Sequence, residues 1–309
     1  MKKISVIMIT YNHERYIEQA IESVLIQEGN FELELLIGND KSPDRTKEIL
    51  KKYMNDKRIK IYNREKNLGA VKNLWDLCIK ATGDYIAILE GDDFWTDKFK
   101  LTKQLDILEK NKEIILCYTD SNIINENNYI IGIKKTEPSF IENFDSLLIN
   151  YSGIPTGTVM YRNIYLQNNI KKSKKICSLL KASEIIGDFS LFSYLISLGK
   201  FYKISKIMGS YRFIENKEIS TSFSSMSSIY KYKEMLKIIK EIANFYDFNK
   251  IKKYFFIKRI EDKLIKNLKK ENLSIEKELG RKLNFLDKIY FLLKPLNSFI
   301  WSLKKRKYR

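Results

Sequence analysis

Over the first ninety residues, short apolar runs of strand character alternate with stretches whose apolar residues recur at helical spacing, and this alternation constrains the fold more than any other feature. Ile4–Thr10 reads as a buried strand. Glu14–Gln27 places Ile17, Ala20, Ile21, Val24 and Leu25 on one helical face. Leu33–Ile37, Arg58–Tyr62 and Tyr85–Leu89 read as further strands, and Ala70–Lys80 as a helix. Ser42 followed by Pro43 reads as the cap and first position of another helix. Such alternation predicts an α/β, Rossmann-like, mostly parallel sheet flanked by helices, with right-handed crossovers. Ligands of such sheets gather beyond the carboxyl ends of the strands.

The fourth strand runs into Glu90-Gly91-Asp92-Asp93. Carboxylates this close repel unless a proton or cation compensates, and a hard divalent ion with oxygen ligands, Mg²⁺ or Mn²⁺, suits a site that also handles phosphates. An acidic loop capping the next helix accounts for the cluster equally well. Thr10-Tyr11-Asn12 and Asn39-Asp40 fall at neighbouring strand ends, so three polar groupings distant in sequence are expected in one crevice. The Gly-x-x-x-x-Gly-Lys phosphate loop is absent.

Composition narrows the class. The chain has 309 residues, is 44 % hydrophobic and contains only four prolines, which suits one large domain and a smaller appendage rather than a disordered chain. Three cysteines far apart suggest neither a disulfide framework nor a thiolate metal site, and fit a reducing cytosol. The start, Met1-Lys2-Lys3 and an apolar run, breaks at Thr10–Glu14 without a small-residue cleavage site and reads as a strand, and no run approaches the roughly 18 apolar residues of a spanning helix. Of the net charge of +18, residues 230–309 hold 23 Lys or Arg against 9 Asp or Glu. In that tail Phe285, Ile289, Leu292, Leu296, Phe299 and Leu303 recur at near-helical spacing, which fits either an anchor on an anionic membrane surface or a helix packed on the main domain. No nucleic-acid-binding motif is present.

Ser5-Val-Ile-Met-Ile-Thr-Tyr-Asn, Glu34-Leu-Leu-Ile-Gly-Asn-Asp-Lys-Ser-Pro-Asp-Arg-Thr, Asn67-Leu-Gly and Tyr85-Ile-Ala-Ile-Leu-Glu-Gly-Asp-Asp-Phe-Trp resemble, in order, the signatures of the family-two glycosyltransferases of the GT-A fold. The resemblance continues more loosely to about Ile214. It implies a nucleotide-diphosphate-sugar donor, a UDP-sugar favoured, and a saccharide or lipid-linked acceptor. Thr10 and Tyr11, with Asn12 and Glu14 beside them, correspond to the base and ribose pocket, and Asp40 to the carboxylate that meets the base. Asn67 and Gly69 bring backbone near the nucleotide. Glu90, Asp92 and Asp93 correspond to the acidic motif, Glu90 standing where many relatives have aspartate, with Asp92 or Asp93 as the ligand of Mn²⁺ or Mg²⁺. Asp188, in Ser183-Glu-Ile-Ile-Gly-Asp-Phe-Ser, corresponds to the base that deprotonates the acceptor in an inverting transfer, with Glu184 as rival and helix capping as the structural alternative. Ile154–Arg162 resembles the strand beside the acceptor cleft.

One departure is the absence of the histidine that many relatives carry after the segment matching Gly209-Ser-Tyr-Arg; here Phe213 follows, and His13, read as local structure, is the chain's only histidine. Arg212 is open to two readings, a diphosphate contact or a surface ion pair. The expected organisation is a catalytic domain over 1–215 and a basic helical region over 216–309, with helices near Met226–Tyr246, Ile251–Lys270 and Leu283–Leu303. The expected activity is metal-dependent sugar transfer in bacterial cell-surface polysaccharide or lipopolysaccharide assembly, in the cytoplasm or on the inner face of its membrane. The alternatives are a sugar-1-phosphate nucleotidyltransferase and a non-catalytic membrane- or polyanion-binding protein on a degenerate transferase fold.

Overall fold

The computed structural model describes residues 1–135, 139–150, 154–167, 174–184, 186–214 and 228–247. In chain order the elements are β1 Lys2–Thr10, α1 Ile17–Leu25, β2 Phe31–Asn39, α2 Thr46–Lys51, β3 Ile59–Asn63, α3 Ala70–Lys80, β4 Tyr85–Glu90, β5 Phe94–Trp95, α4 Lys100–Lys110, β6 Ile114–Ile124, β7 Ile130–Lys134, β8 Phe140–Ile141, α5 Phe144–Asn150, β9 Met160–Arg162, α6 Ile164–Gln167, α7 Lys174–Leu180, α8 Asp188–Leu195, β10 Lys200–Arg212 and α9 Ser228–Phe245.

One sheet runs in the order β3-β2-β1-β4-β9-β6-β10-β5, with β7 on β6 and β8 on β10. The first four strands are parallel, as their helical crossovers require. Beyond β4 the sheet turns mixed: β9 is antiparallel to both neighbours, and β6 and β10 are parallel to each other. β1 and β4 read as unbroken apolar runs because both faces are covered. Ile4, Val6 and Met8 pack with α1 and α4 on one side, while Ile7, Ile86 and Ile88 pack with α3 and α8 on the other. The α9 residues Ile238, Ile239 and Ile242 lie in that second cluster, so the described part of the expected 216–309 region shares the core of the sheet.

Strand and helix positions follow the sequence pattern closely, with α3 spanning the expected residues and α9 lying inside the expected Met226–Tyr246. The expected cap is corrected. α2 begins at Thr46, not after Ser42; the Ser42 hydroxyl instead donates to Asn39 Oδ1 at 2.6 Å and accepts the Asn12 N–H at 3.1 Å, while Asp44 Oδ1 accepts the Thr46 N–H at 3.0 Å. Ser42 thus closes the β1 and β2 ends together, a long-range role that local capping rules do not contain. Segment Ile154–Arg162 is only partly strand: a tight 3-10 turn at Thr156–Thr158 precedes β9. The expected helices 251–270 and 283–303 lie outside the described residues. Among the described residues no helix is long and apolar enough to cross a membrane.

Candidate active site

Beyond the carboxyl ends of β1, β2 and β4, the chain builds a crevice from three loops. After Thr10 the backbone turns through Asn12, whose φ of 62° lies in the left-handed region. The β2–α2 loop holds this turn by accepting three successive N–H groups: Asn12 onto Ser42 Oγ, His13 onto Thr46 Oγ1 and Glu14 onto Asp44 Oδ2. Glu14 returns the contact, its carboxylate accepting the Arg45 N–H at 2.8 Å. Asp40 is buried and its N–H donates to Thr10 O. Its carboxylate accepts two backbone donors, Leu68 N–H at 2.7 Å and Gly69 N–H at 2.9 Å. Asn67 Oδ1 also accepts the Gly69 N–H, and Gly69 sits at φ 82°, so the Asn67–Gly69 turn is drawn onto the β2 end. Thr10, Asp40, Asn67 and Gly69, separated by up to sixty residues, therefore line one place.

The acidic loop closes the crevice from β4. Gly91 N–H donates to Ile9 O, and a Cβ on Gly91 would fall 2.8 Å from Thr10 Oγ1 and 3.0 Å from His13 Nδ1, so only glycine allows this approach. Asp93 is buried and Oδ1 accepts the Arg212 N–H at 2.8 Å. Arg212 resolves against the surface ion pair. It is buried, stacks 4.2 Å from the Tyr16 ring centre, and donates to Asp92 O, Asn125 O and Gln19 Oε1. It braces the acidic loop from behind, and burial lowers its pKa.

Asp92 differs from Asp93. Its Oδ1 is buried without a hydrogen-bond partner, as are the neighbouring His13 Nδ1 and Thr10 Oγ1, and His13 Nε2 stands 3.7 Å from Asp92 Oδ2. Removal from water, then the charges of Asp92 and Asp188, push Glu90 up to about 8, with Lys134 pulling the other way. Burial and the same neighbours raise Asp93 well above the usual carboxylate range. This is an anionic site short of positive charge. A divalent cation fits it: Asp92 offers a partnerless carboxylate oxygen, and His13 a neighbouring ring nitrogen. Among the described residues no three His, Cys, Asp or Glu side chains form a closed cage, which agrees with Mg²⁺-type ions held by one or two carboxylates plus substrate phosphates.

Asp188 opens α8 opposite this loop. The Thr156 hydroxyl donates to its Oδ2 at 3.1 Å, and Oδ1 accepts the Phe189 N–H at 2.8 Å. The capping position itself falls on Gly187. Glu184, by contrast, is exposed and pairs with Lys72 at 2.7 Å. The 3-10 turn that carries Thr156 is itself fixed from below, since Trp95 Nε1 donates to Gly157 O at 2.7 Å and Gln104 Nε2 to Thr158 O at 2.9 Å. A cavity of about 50 Å³ lies between the acidic loop and this turn, lined among others by Glu90, Asp93, Lys134, Thr156, Ser210 and Tyr211. Lys134, Thr156 and the orientation of His13 carry no motif of their own. His13 alone had a sequence signal, as the only histidine beside a strand-end polar group.

Residues 5–169 match the family model described as Glycosyl transferase family 2. The Escherichia coli protein named UDP-Glc:alpha-D-GlcNAc-diphosphoundecaprenol beta-1,3-glucosyltransferase WfgD is 32 % identical over 231 residues, 69 % of this chain and 87 % of that protein. The putative teichuronic acid biosynthesis glycosyltransferase TuaG of Bacillus subtilis is 28 % identical over 225 residues, 69 % of this chain and 88 % of that protein. An uncharacterized protein of Mycobacterium bovis is 33 % identical over 165 residues, 51 % of this chain, and the match spans 46 % of that protein, about half its length. Among solved structures, S. aureus TarS 1-349 in complex with UDP-GlcNAc superposes with a TM-score of 0.59 at 21 % identity, covering 84 % of this chain and 71 % of that one, a likeness of fold.

Proposed function

The chain belongs to glycosyl transferase family 2, and from that premise we propose that it moves a sugar, with inversion, from a UDP-sugar to a saccharide acceptor in cell-surface polysaccharide assembly. The observation that carries this reading is the buried, partnerless Asp92 oxygen at the mouth of the crevice, with Asp40 on the nucleotide side and Asp188 on the opposite wall. The names of WfgD and TuaG support the surface-polysaccharide context, and that of WfgD supports a UDP-sugar and a lipid-linked acceptor.

In this reading Thr10 and Tyr11 line the base pocket, and Asp40, each of whose oxygens keeps a lone pair after accepting one backbone N–H, takes the imide N–H of uracil. Asn12 and Glu14 hold the turn that shapes the pocket, and Asn67 and Gly69 form its far wall. Asp92, rather than Asp93, holds the divalent ion, because Asp93 is engaged with the Arg212 backbone. When bound there, Mn²⁺ or Mg²⁺ supplies positive charge that offsets the charge growing on the departing diphosphate. Asp188 takes the proton of the acceptor hydroxyl, and the Thr156 hydroxyl orients its Oδ2 and favours the ionised form. A base on the wall opposite the leaving group gives inversion. The catalytic unit spans 1–215 with α9 packed on it, and the basic 216–309 region holds the enzyme to the inner face of the membrane; unchanged flotation after deletion of 283–309 would remove that last point.

The test is thermal stability against UDP, GDP, CMP and dTDP, each with Mn²⁺ or EDTA, since a ligand that binds the native state raises its stability by mass action. Stabilisation by UDP only with metal is expected. No response to any nucleotide overturns the reading.

A further inference from the structure

β7 makes a ribbon with β6 alone, and its side chains divide in an unusual way. Lys134, at the inner end, lines the cavity beside Glu90; it lies 5.4 Å from the centre of the Tyr211 ring and has no ion-pair partner among the described residues. The outer end is apolar and open: Tyr129, Ile130, Ile131 and Ile133 are 54–70 % exposed. The register pairs Ser121 with Lys134, Asn122 with Ile133, Ile123 with Gly132 and Ile124 with Ile130, leaving Ile131 as the extra residue of a bulge. By the two-residue period of the pleat, Ile130 and Ile133 share the face of Asn122 and Ile124, while Gly132 and Lys134 share that of Ser121 and Ile123. Gly132 does not owe its place to crowding, because a Cβ there would meet only Ile123, at 3.6 Å. It leaves the strand bare between the cation and the ribbon's outer end.

We propose that the β6–β7 hairpin is the docking element for an acceptor carried on a membrane lipid through phosphate, with Lys134 meeting the phosphate oxygens and the isoleucines entering the lipid interface. This rests on the transferase reading above and names the acceptor class and the residues that recognise it. Two observations select this occupant. An unpaired ammonium in a cleft otherwise lined by carboxylates calls for an anionic group on the substrate, and the apolar side chains begin four residues or fewer from it on the same strand, the footprint of an amphiphile with a charged head. Apolar residues on both faces of the ribbon also fit immersion in an interface better than a folded partner, which would cover one face and leave the other in water.

The experiment is flotation of the full chain with phosphatidylcholine vesicles, alone or doped with a polyprenyl diphosphate or with phosphatidylglycerol, for the parent, Lys134→Gln and the double variant Ile131→Asn/Ile133→Asn. All three sites are on the surface strand, and each variant's thermal response to UDP with Mn²⁺ is recorded in parallel. The polyprenyl diphosphate is expected to increase binding of the parent. Lys134→Gln should lose about tenfold of that increment, the scale of one charge-assisted hydrogen bond, and the double variant should bind every vesicle less. Equal binding of all three proteins overturns the proposal, with Lys134 then serving only to offset Glu90. So does binding that follows phosphatidylglycerol and ignores the diphosphate lipid. A parent that floats as expected but shows no response to UDP condemns the transferase reading instead; a UDP response with unaltered flotation of the variants condemns only the hairpin.

Discussion

Lys100 gives the sharpest physical test of the scaffold beneath the site. Its ammonium is fully buried, donates to Gln104 Oε1 at 2.6 Å and lies 4.1 Å from the centre of the Trp95 ring, with no carboxylate partner among the described residues. Burial lowers its pKa from 10.5 to about 7. Between those values the unfolded chain binds a proton that the native state does not, so the contribution of Lys100 makes stability rise with pH, by about 1.4 kcal/mol per unit where the difference is a whole proton. From pH 7 to pH 9 the gain is about 2 kcal/mol, less than the full slope because the native state keeps roughly half a proton at its midpoint. Lys100→Met preserves length and removes the titration. Its loss of the Gln104 bond is a cost independent of pH, so the readout is the slope and not the absolute stability. Urea unfolding at the two pH values should show the midpoint of the parent rising by roughly 0.8 M more than that of the variant, for a denaturant slope of about 2–3 kcal/mol per molar. The raised carboxyls of Glu90 and Asp93 push stability the opposite way with pH, but they are present in both proteins and cancel. Identical slopes would show that Lys100 stays protonated in the fold, and would refute the dry core assigned to it.

Asp188→Asn should lower kcat by about 10²–10⁴ while leaving UDP affinity within roughly twofold, read by steady-state kinetics and calorimetry; an unchanged kcat removes Asp188 as base. Asp92→Asn should reduce the thermal stabilisation by UDP with Mn²⁺ to the level seen in EDTA, whereas retention of the metal effect would shift the ligand to another carboxylate. Gly91→Ala should cost about 1–3 kcal/mol in urea unfolding, since its methyl falls 2.8 Å from Thr10 Oγ1; a neutral result would mean that Thr10 and His13 can move aside. Asp40→Ala strips the acceptors from Leu68 and Gly69 N–H and should cost about 1–3 kcal/mol and weaken UDP binding together, as calorimetry with parallel unfolding would show.

The parallel half of the sheet was readable because its strands are buried on both faces and so are written as unbroken apolar runs, and because helical periodicity between them requires crossovers. The positions of Thr10, Asp40 and Glu90–Asp93 at strand ends followed from the same pattern. What those side chains do with their lone pairs did not. Asp92 and Asp93 are adjacent and chemically identical, yet one oxygen of Asp93 is taken by the Arg212 N–H, 119 residues away, while Asp92 keeps a buried oxygen without a partner. The roles of Ser42 and Arg212 were misjudged for a related reason, since local rules assign a cap or a surface pair before a distant partner is known.

Lys134 shows the limit most clearly. As a residue it is one of many lysines, and the hairpin that carries it has no motif. Only the pairing of β7 with β6, and of β6 with β10, brings its ammonium beside Glu90 and Tyr211. The sequence alone determined the family, the α/β layering and the crevice, because periodicity and strand-end chemistry are local along the chain. The tertiary structure decided which carboxylate is free, which arginine is a brace and which lysine faces the cleft, because hydrogen-bond partners and desolvation depend on groups far apart in sequence that only folding brings together.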